Sequence, residues 1–456
     1  MLRLAVIGWI GLALIAGGCS WWSSPPPNLL LISVDTLRAD HLGIYGYPRG
    51  TSPHIDAFFH TGTVFEHAHS TEANTPQSVA SFLSGLQPQD TGVRLFYQKV
   101  PADLRLISED LADHGYQTGA IVSNLVLTRE ATSLDAHFGY YDDYVDQIEP
   151  YRNVYERNAT GTTNAGLLWM KEEHVEGMPF LLWIHYQDPH GPYHPPADKP
   201  RDFEHDEPRE IDLLSVPSYQ REPGVTDGLE YIDLYDEEIA YLDHELGRLL
   251  QAFAEQGLLE NTIVAFTADH GESMMEHERW FTHGYHVYNE ITHVPLLIRH
   301  PQDETQRRIP ARVSLVDLVP TLLHHLDVTP TRTLRGQSLN QPIRMLPVYS
   351  QGEQNRSMIL GDRKWVIAVE GVVDGEVLGQ KRVYYDLAQD PQETDPRPWS
   401  EAGAEPEVFL AMIAEDPSPT GRPTGYERGE RIRAPKVRPG LDEGTLEKLR
   451  SLGYVE

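Results

Sequence analysis

Five uninterrupted apolar runs punctuate the first two thirds of the chain, at Leu29–Val34, Thr118–Val122, Phe180–His185, Thr262–Phe266 and Val294–Ile298. A run without polar alternation is what a strand buried on both faces requires. Helical segments separate these runs, over Leu104–His114, Thr162–Glu173 and the long Gly228–Gln256, and another over Ser314–Leu326 closes the series. Strands that alternate with helices predict an α/β fold, a large and mostly parallel sheet sandwiched by helices. With 456 residues and 40 % hydrophobic side chains, the chain can bury such a core.

The pattern changes near residue 335. Shorter β-like runs follow at Lys364–Glu370 and Gln380–Leu387, and the stretch from Pro391 to Pro439 holds nine prolines, which predicts extended loops. The segment Thr445–Leu452 predicts a short helix ended by Gly453. We therefore expect a catalytic domain over 28–335 and a small C-terminal α+β subdomain over 336–456.

Charge narrows the range of partners. Lys plus Arg number 37 against 68 Asp plus Glu, a net charge of −31, which argues against binding to nucleic acid. A small anionic substrate stays compatible, because salt screens the surface charge beyond roughly 8–10 Å and a pocket sets its own potential.

The N-terminus predicts export. Residues 1–18 join Arg3 to an apolar stretch, Leu4–Ala16, that is too short to span a bilayer and suits a secretory signal. Cys19 is the only cysteine, so neither an intramolecular disulfide nor a cysteine-rich zinc site can form. The segment Ile15-Ala16-Gly17-Gly18-Cys19-Ser20 resembles a bacterial lipobox. That resemblance implies lipidation of Cys19, a tether over 19–27, and a place in the cell envelope, with Ser20 favouring the outer membrane.

Three of the strands lead into acidic residues at their carboxyl ends. The first continues as Asp35-Thr36, the third as Tyr186-Gln187-Asp188-Pro189-His190, and the fourth as Thr267-Ala268-Asp269-His270-Gly271-Glu272. Ligands of open parallel sheets bind along that edge. A single such aspartate serves equally well as a helix cap; three at one edge, two beside histidines, suggest a metal site. In Asn74-Thr75-Pro76-Gln77-Ser78-Val79, Thr75 reads as an N-cap with Pro76 at the first helical position. The same geometry sets a hydroxyl at a helix N-terminus, where a phosphoryl or sulfuryl group is attracted.

Taken in order, DTLRADHLGIYGY (35–47), TPQSVASFLSG (75–85), YQDPHGPY (186–193), TADHGE (267–272), FTHG (281–284) and HVPLLIR (293–299) resemble the sulfatase family of the alkaline phosphatase superfamily. The likeness extends over nearly everything from residue 28 onward. It implies that Asp35, Thr75, Asp269 and His270 hold one divalent metal ion, and that Thr75 is the nucleophile. It also implies that His190 and His283 assist catalysis, and that Asp188, His190, His283 and Asn124 surround a small anionic ester or glycan substrate. His286 and His293 lie close to His283 in sequence, so the site-facing histidine stays open at this point.

The departures from the family pattern bear on the chemistry. Authentic sulfatases carry Cys or Ser at the Thr75 position and oxidise it to formylglycine, which threonine cannot form. Val79 replaces the usual Arg, Thr36 replaces the second Asp of a pair, and Ser123 and Asn124 stand where a Lys-x-His pair is usual. A donor set of three oxygens and one nitrogen resembles the Mn or Zn site of threonine-nucleophile phospho-group transferases more than an oxygen-rich Ca or Mg site. The expectation is a hydrolase that favours phosphate or phosphonate esters over sulfate esters through a covalent threonine intermediate. The alternatives are a transferase to an alcohol acceptor and a non-catalytic binder of sulfated or phosphorylated glycans.

Overall fold

The computed structural model describes residues 25–94, 98–145, 147–148, 155–196, 201–340, 342–373, 376–403 and 406–415. Its main sheet comprises β1 (Asn28–Val34), β2 (Thr63–His69), β3 (Gln117–Val122), β4 (Tyr140–Asp142), β5 (Phe180–Tyr186), β6 (Thr262–Ala268), β7 (His293–Val294), β8 (Leu296–Arg299) and β9 (Arg307–Ser314). The strand order is β9-β2-β8-β6-β1-β5-β3-β4, with β7 paired to β2. Most of these pairings are parallel; β8 runs antiparallel to both of its neighbours. The expected fold class holds.

The apolar runs became the central strands because helices cover both faces. Every residue of β1, β5 and β6 is buried. The covering helices include α1 (Pro53–Phe59), α2 (Thr75–Ser84), α3 (Ile107–Ala112), α4 (Ala159–Glu172), α5 (Gly228–Glu255) and α6 (Leu318–His325). Strands β2 and β9 escaped the sequence reading, since their sequences TVFEHAH and RRIPARVS interleave polar residues and lack a continuous apolar run.

A second, antiparallel sheet follows, made of β10 (Val348–Gln351), β11 (Asn355–Leu360), β12 (Arg363–Val373), β13 (Glu376–Asp386) and β14 (Arg397–Pro398). It meets the loop after β2 through Gln351, whose N–H donates to Thr71 O at 3.0 Å and whose carbonyl accepts from Ala73 N at 3.0 Å. Part of the proline-rich stretch departs from the expected extended loops. Glu407–Glu415 forms a helix, and its Phe409 packs against Trp399 because the sheet face there is apolar. The helix expected over 445–452, Cys19 and the signal segment lie outside the described residues. Among the described residues, no helix is long and apolar enough to cross a membrane.

Candidate metal and nucleophile site

Parallel pairing of β1 with β5 and β6 sets the site. Val34 lies in register with Tyr186 on one side and Ala268 on the other, so Asp35 and Asp269 leave the sheet side by side. The Asp35 N–H donates to Tyr186 O at 2.9 Å, and the Asp269 N–H to Val34 O at 3.2 Å. Both carboxylates are fully buried. Thr36 turns the chain away with φ +54°, an uncommon angle for a β-branched residue, and its N–H donates to Asp269 Oδ1 at 3.3 Å.

His270 completes the cluster. Its Nδ1 lies 3.0 Å from Gly271 O, which aims Nε2 at the carboxylates, 3.7 Å from Asp35 Oδ1 and 3.5 Å from Asp269 Oδ2. Gly271 is required there, because a Cβ would stand 2.1 Å from Glu290 O.

Thr75 reaches the same point from α2. The N-cap is Asn74, one residue earlier than expected, and Thr75 is the first helical residue. The correction has a physical reason: Asn74 holds the extended backbone that a cap needs (φ −133°, ψ 143°). The Thr75 hydroxyl is thereby released from capping. Its Oγ1 sits 3.2 Å from His270 Nε2 and 3.5 Å from each Asp35 carboxylate oxygen. Ser70 and Ser78 donate to Asp269 O at 2.5 and 2.6 Å, tying β2 and α2 to β6 behind the cluster.

Sequence reasoning missed His185. This residue ends the apolar run of β5, pairs with Ser33 of β1, and groups with Asp35 and Asp269, their ligand atoms lying within 4.8 Å of one another. Trp183 Nε1–H donates to Ser33 Oγ at 2.8 Å, and Ser33 Oγ lies 2.8 Å from His185 Nδ1, which leaves Nε2 on the side of Asp35. The available signal was a lone imidazole at the carboxyl end of an otherwise apolar central strand.

The donor set tests whether a cation belongs here. Asp269 Oδ2 and His185 Nε2 are buried with no hydrogen-bond partner among the described residues. Burial and the neighbouring charge of Asp35 raise the Asp269 pKa. Asp35 is held below the ordinary carboxylate range by His190, His185 and His270, which outweigh its burial. Two adjacent buried carboxylates with orphaned oxygen and nitrogen atoms fit a divalent cation.

The Sulfatase family model matches residues 27–328. The chain belongs to the sulfatase family. It is 26 % identical over 361 residues to the uncharacterized sulfatase YidJ of Escherichia coli, covering 69 % of this chain and 70 % of that one. It is 24 % identical over 498 residues to an arylsulfatase of Clostridium perfringens, covering 93 % and 100 %. With human iduronate 2-sulfatase it shares 27 % over 339 residues, 60 % of each chain. The fold matches the phosphonate monoester hydrolase of Agrobacterium radiobacter with TM-score 0.63 at 18 % identity, over 85 % of this chain and 94 % of that one. It also matches a protein crystallised with its substrate D-glucosamine-2-N,6-O-disulfate, TM-score 0.67 at 17 % identity, over 87 % and 98 %. This chain is thus a sulfatase-like hydrolase, of a family whose members bind a divalent metal.

Beside the candidate metal site the sulfatase-family chain gathers further histidines. The His283 ring lies 4.7 Å from that of His270 and 5.3 Å from that of His190, which in turn stacks on Tyr219 at 6.1 Å. Of the three histidines left open by sequence, His283 is the one placed beside His270. His286 instead meets Asn355 at 3.2 Å, with burial pressing its pKa down to about 3, and His293 turns to Glu66 O at 2.8 Å. Glu272, fully buried, holds His283 Nδ1 at 3.2 Å and is itself fixed by Gln220 Nε2 at 2.7 Å. Burial opposes charge on His283, yet Glu272, helped by Asp35 and Asp269, raises its pKa above the ordinary value.

Asn124 and Asp188 are placed differently. Asn124 Nδ2 donates to Asp35 Oδ2 while its Oδ1 accepts from Val126 N at 2.9 Å, so it positions Asp35. Asp188 is buried, and its pKa responds to neighbouring Glu238 of α5 and to the start of α4 at Ala159. It is not among the residues that group with Asp35 and Asp269.

Proposed function

We propose that this sulfatase-family enzyme cleaves phosphate or phosphonate esters in preference to sulfate esters, with Thr75 as nucleophile. The observation that carries the reading is the Thr75 hydroxyl at the N-terminus of α2, 3.2 Å from His270 and 3.5 Å from the Asp35 oxygens. A threonine cannot supply an aldehyde hydrate to expel sulfate, whereas a phosphothreonine is open to in-line attack by water. The similarity in fold to a phosphonate monoester hydrolase agrees with this choice.

Asp35, Asp269, His270 and His185 would hold the divalent ion, with Thr75 at its edge. Two nitrogens beside two carboxylates favour Mn or Zn over Ca or Mg. A bound ion supplies Lewis acidity that lowers the cost of ionising the threonine hydroxyl. The chain's own groups do the rest. Amide N–H groups in the first turn of α2 face the incoming anion. His190 orients it, and His283, kept protonated by Glu272, donates its proton to the leaving oxygen. The carboxylate of Asp35 is steadied by Asn124 throughout. The substrate is a small anionic ester or a glycan that carries one.

We further propose that Cys19 is lipidated and holds the enzyme at the cell envelope, and that residues 28–335 form the catalytic domain. The deciding experiment is a hydrolysis panel of matched aryl sulfate, phosphate monoester, phosphodiester and phosphonate ester, each with Mn, Zn, Mg and Ca. We expect the phosphorus esters to turn over faster. Efficient sulfate-ester turnover with no phosphorus-ester turnover overturns the proposal.

A further inference from the structure

A separate cavity of about 420 Å³ lies between β2, β7, β9 and the C-terminal sheet. Three histidines line it. His67 and His69 are two apart on β2 and so share a sheet face. His293 of β7 is the register partner of His69. The His293 ring stands 5.7 Å from the His67 ring and 5.7 Å from the His69 ring.

His69 is the informative member. It is 1 % exposed, and neither ring nitrogen has a hydrogen-bond partner among the described residues. An imidazole so placed has given up water without compensation, a cost that a bound ligand would offset. Burial holds it neutral, with a lone pair to give. His293 Nε2 lies 2.8 Å from Glu66 O, the backbone-carbonyl anchor that metal-ligating histidines commonly use, so Nδ1 is its nitrogen for a ligand. The carboxylate of Glu290 lines the same cavity, as does Asp40, whose two oxygens accept from Arg38 at 2.9 and 2.8 Å. Arg312 also lines it, but its charge is matched by Asp362, 3.1 Å away.

We propose that His67, His69 and His293 form a second metal site, selective for a transition-metal dication of the Zn(II) type, with Glu290 as a further ligand. Imidazole with carboxylate suits Zn, Co, Ni and Cu, and gives Mg or Ca no advantage. Bringing three nitrogens to about 2.1 Å from one ion takes side-chain rotation into the cavity. The backbone spacing is already set by the β2–β7 pairing. Ser70, next to His69, donates to Asp269 O at 2.5 Å, so an ion here braces the strand that backs the reaction site.

The test is zinc and cobalt binding by the full chain, stripped of metal and dialysed against micromolar Zn(II), with elemental analysis. Wild type should hold two equivalents, and Asp269→Asn one. Both His69→Ala and His69→Gln should hold one, and the double variant Asp269→Asn with His69→Gln none. Co(II) loaded into Asp269→Asn should give a visible absorption band that His293→Gln abolishes. Hydrolysis by His69→Gln, measured with the first site loaded, should stay within about twofold of wild type. A single equivalent in wild type that Asp269→Asn removes, or an unchanged stoichiometry in both His69→Gln and His293→Gln, overturns the inference. Absence of ester turnover bears only on the proposed function, since metal counting needs no substrate.

Discussion

Thr75 and His270 meet at 3.2 Å, hydroxyl to Nε2, although 195 residues separate them. One comes from the first turn of a helix and the other from the end of a central strand. Since a free secondary alcohol is a weak nucleophile, this contact and the adjoining carboxylates are what could activate it. Thr75→Ala should lower kcat about 10³-fold or more while far-UV circular dichroism stays unchanged. Thr75→Ser should retain a measurable fraction. Wild-type rates in Thr75→Ala, assayed on the best phosphorus ester, rule out the nucleophile assignment.

Removal of the catalytic-site metal should be visible in stability as well as rate. A ligand present at 100 times its dissociation constant stabilises the native state by about 2.7 kcal/mol. Chelated wild type and Asp269→Asn should therefore melt several degrees below the loaded enzyme, by calorimetry, and both should be inactive. Asp269→Asn that melts and turns over like loaded wild type shows that Asp269 is no ligand.

The site was legible in sequence to the extent that strand ends are. Asp35, Asp269 and His270 stand just past apolar runs, where register alone brings them together. His185 was not legible, because a histidine closing an apolar strand looks like any packed ring until the pairing of Ser33 with His185 is known. Asp188 is a different case. Its position after β5 matches the other two aspartates, but it is buried near Glu238 of α5 and is not grouped with the other two. Which way a loop side chain turns depends on partners remote in sequence. The same holds for β2 and β9, whose polar faces gave no continuous run.

The pH profile should report Glu272 acting through His283. A histidine whose folded pKa is raised stays protonated to higher pH, so a proton it donates is lost as pH climbs through that value. Glu272→Gln keeps the hydrogen-bonding shape but removes the charge. The basic limb of kcat/KM should move to lower pH, while substrate affinity at low pH changes little. An unmoved limb indicates that His283 is not the acid.

The proposed membrane attachment turns on one sulfur. Cys19 is the only cysteine and follows the apolar segment 4–16. Cys19→Ser, expressed in a bacterial host, should shift from the membrane pellet to the soluble fraction. Mass spectrometry of wild type should show acyl chains on the first mature residue. A wild type without lipid, or a variant that stays in the pellet after a high-salt wash, refutes the anchor.

The Asp188–Glu238 pair makes stability depend on pH in a calculable direction. Burial, opposed in part by the bond from Glu238, pushes Asp188 up to about 6. Burial and the nearby Asp188 push Glu238 well above its ordinary value. Well below pH 4 both carboxyls are protonated whether folded or not, and the pair costs nothing relative to the unfolded chain. As pH rises from about 4 through 6, the unfolded chain releases protons that the folded state retains, so stability falls across that window. A tenfold difference in proton affinity between the folded and unfolded chain corresponds to about 1.4 kcal/mol. Glu238→Gln preserves a hydrogen bond to Asp188 without the second charge and should flatten this slope. The variant should match wild type near pH 4 and be more stable by about 1–3 kcal/mol at pH 8 in urea titrations. Parallel stability curves for the two proteins from pH 4 to 8 would show that the carboxyls do not share a proton.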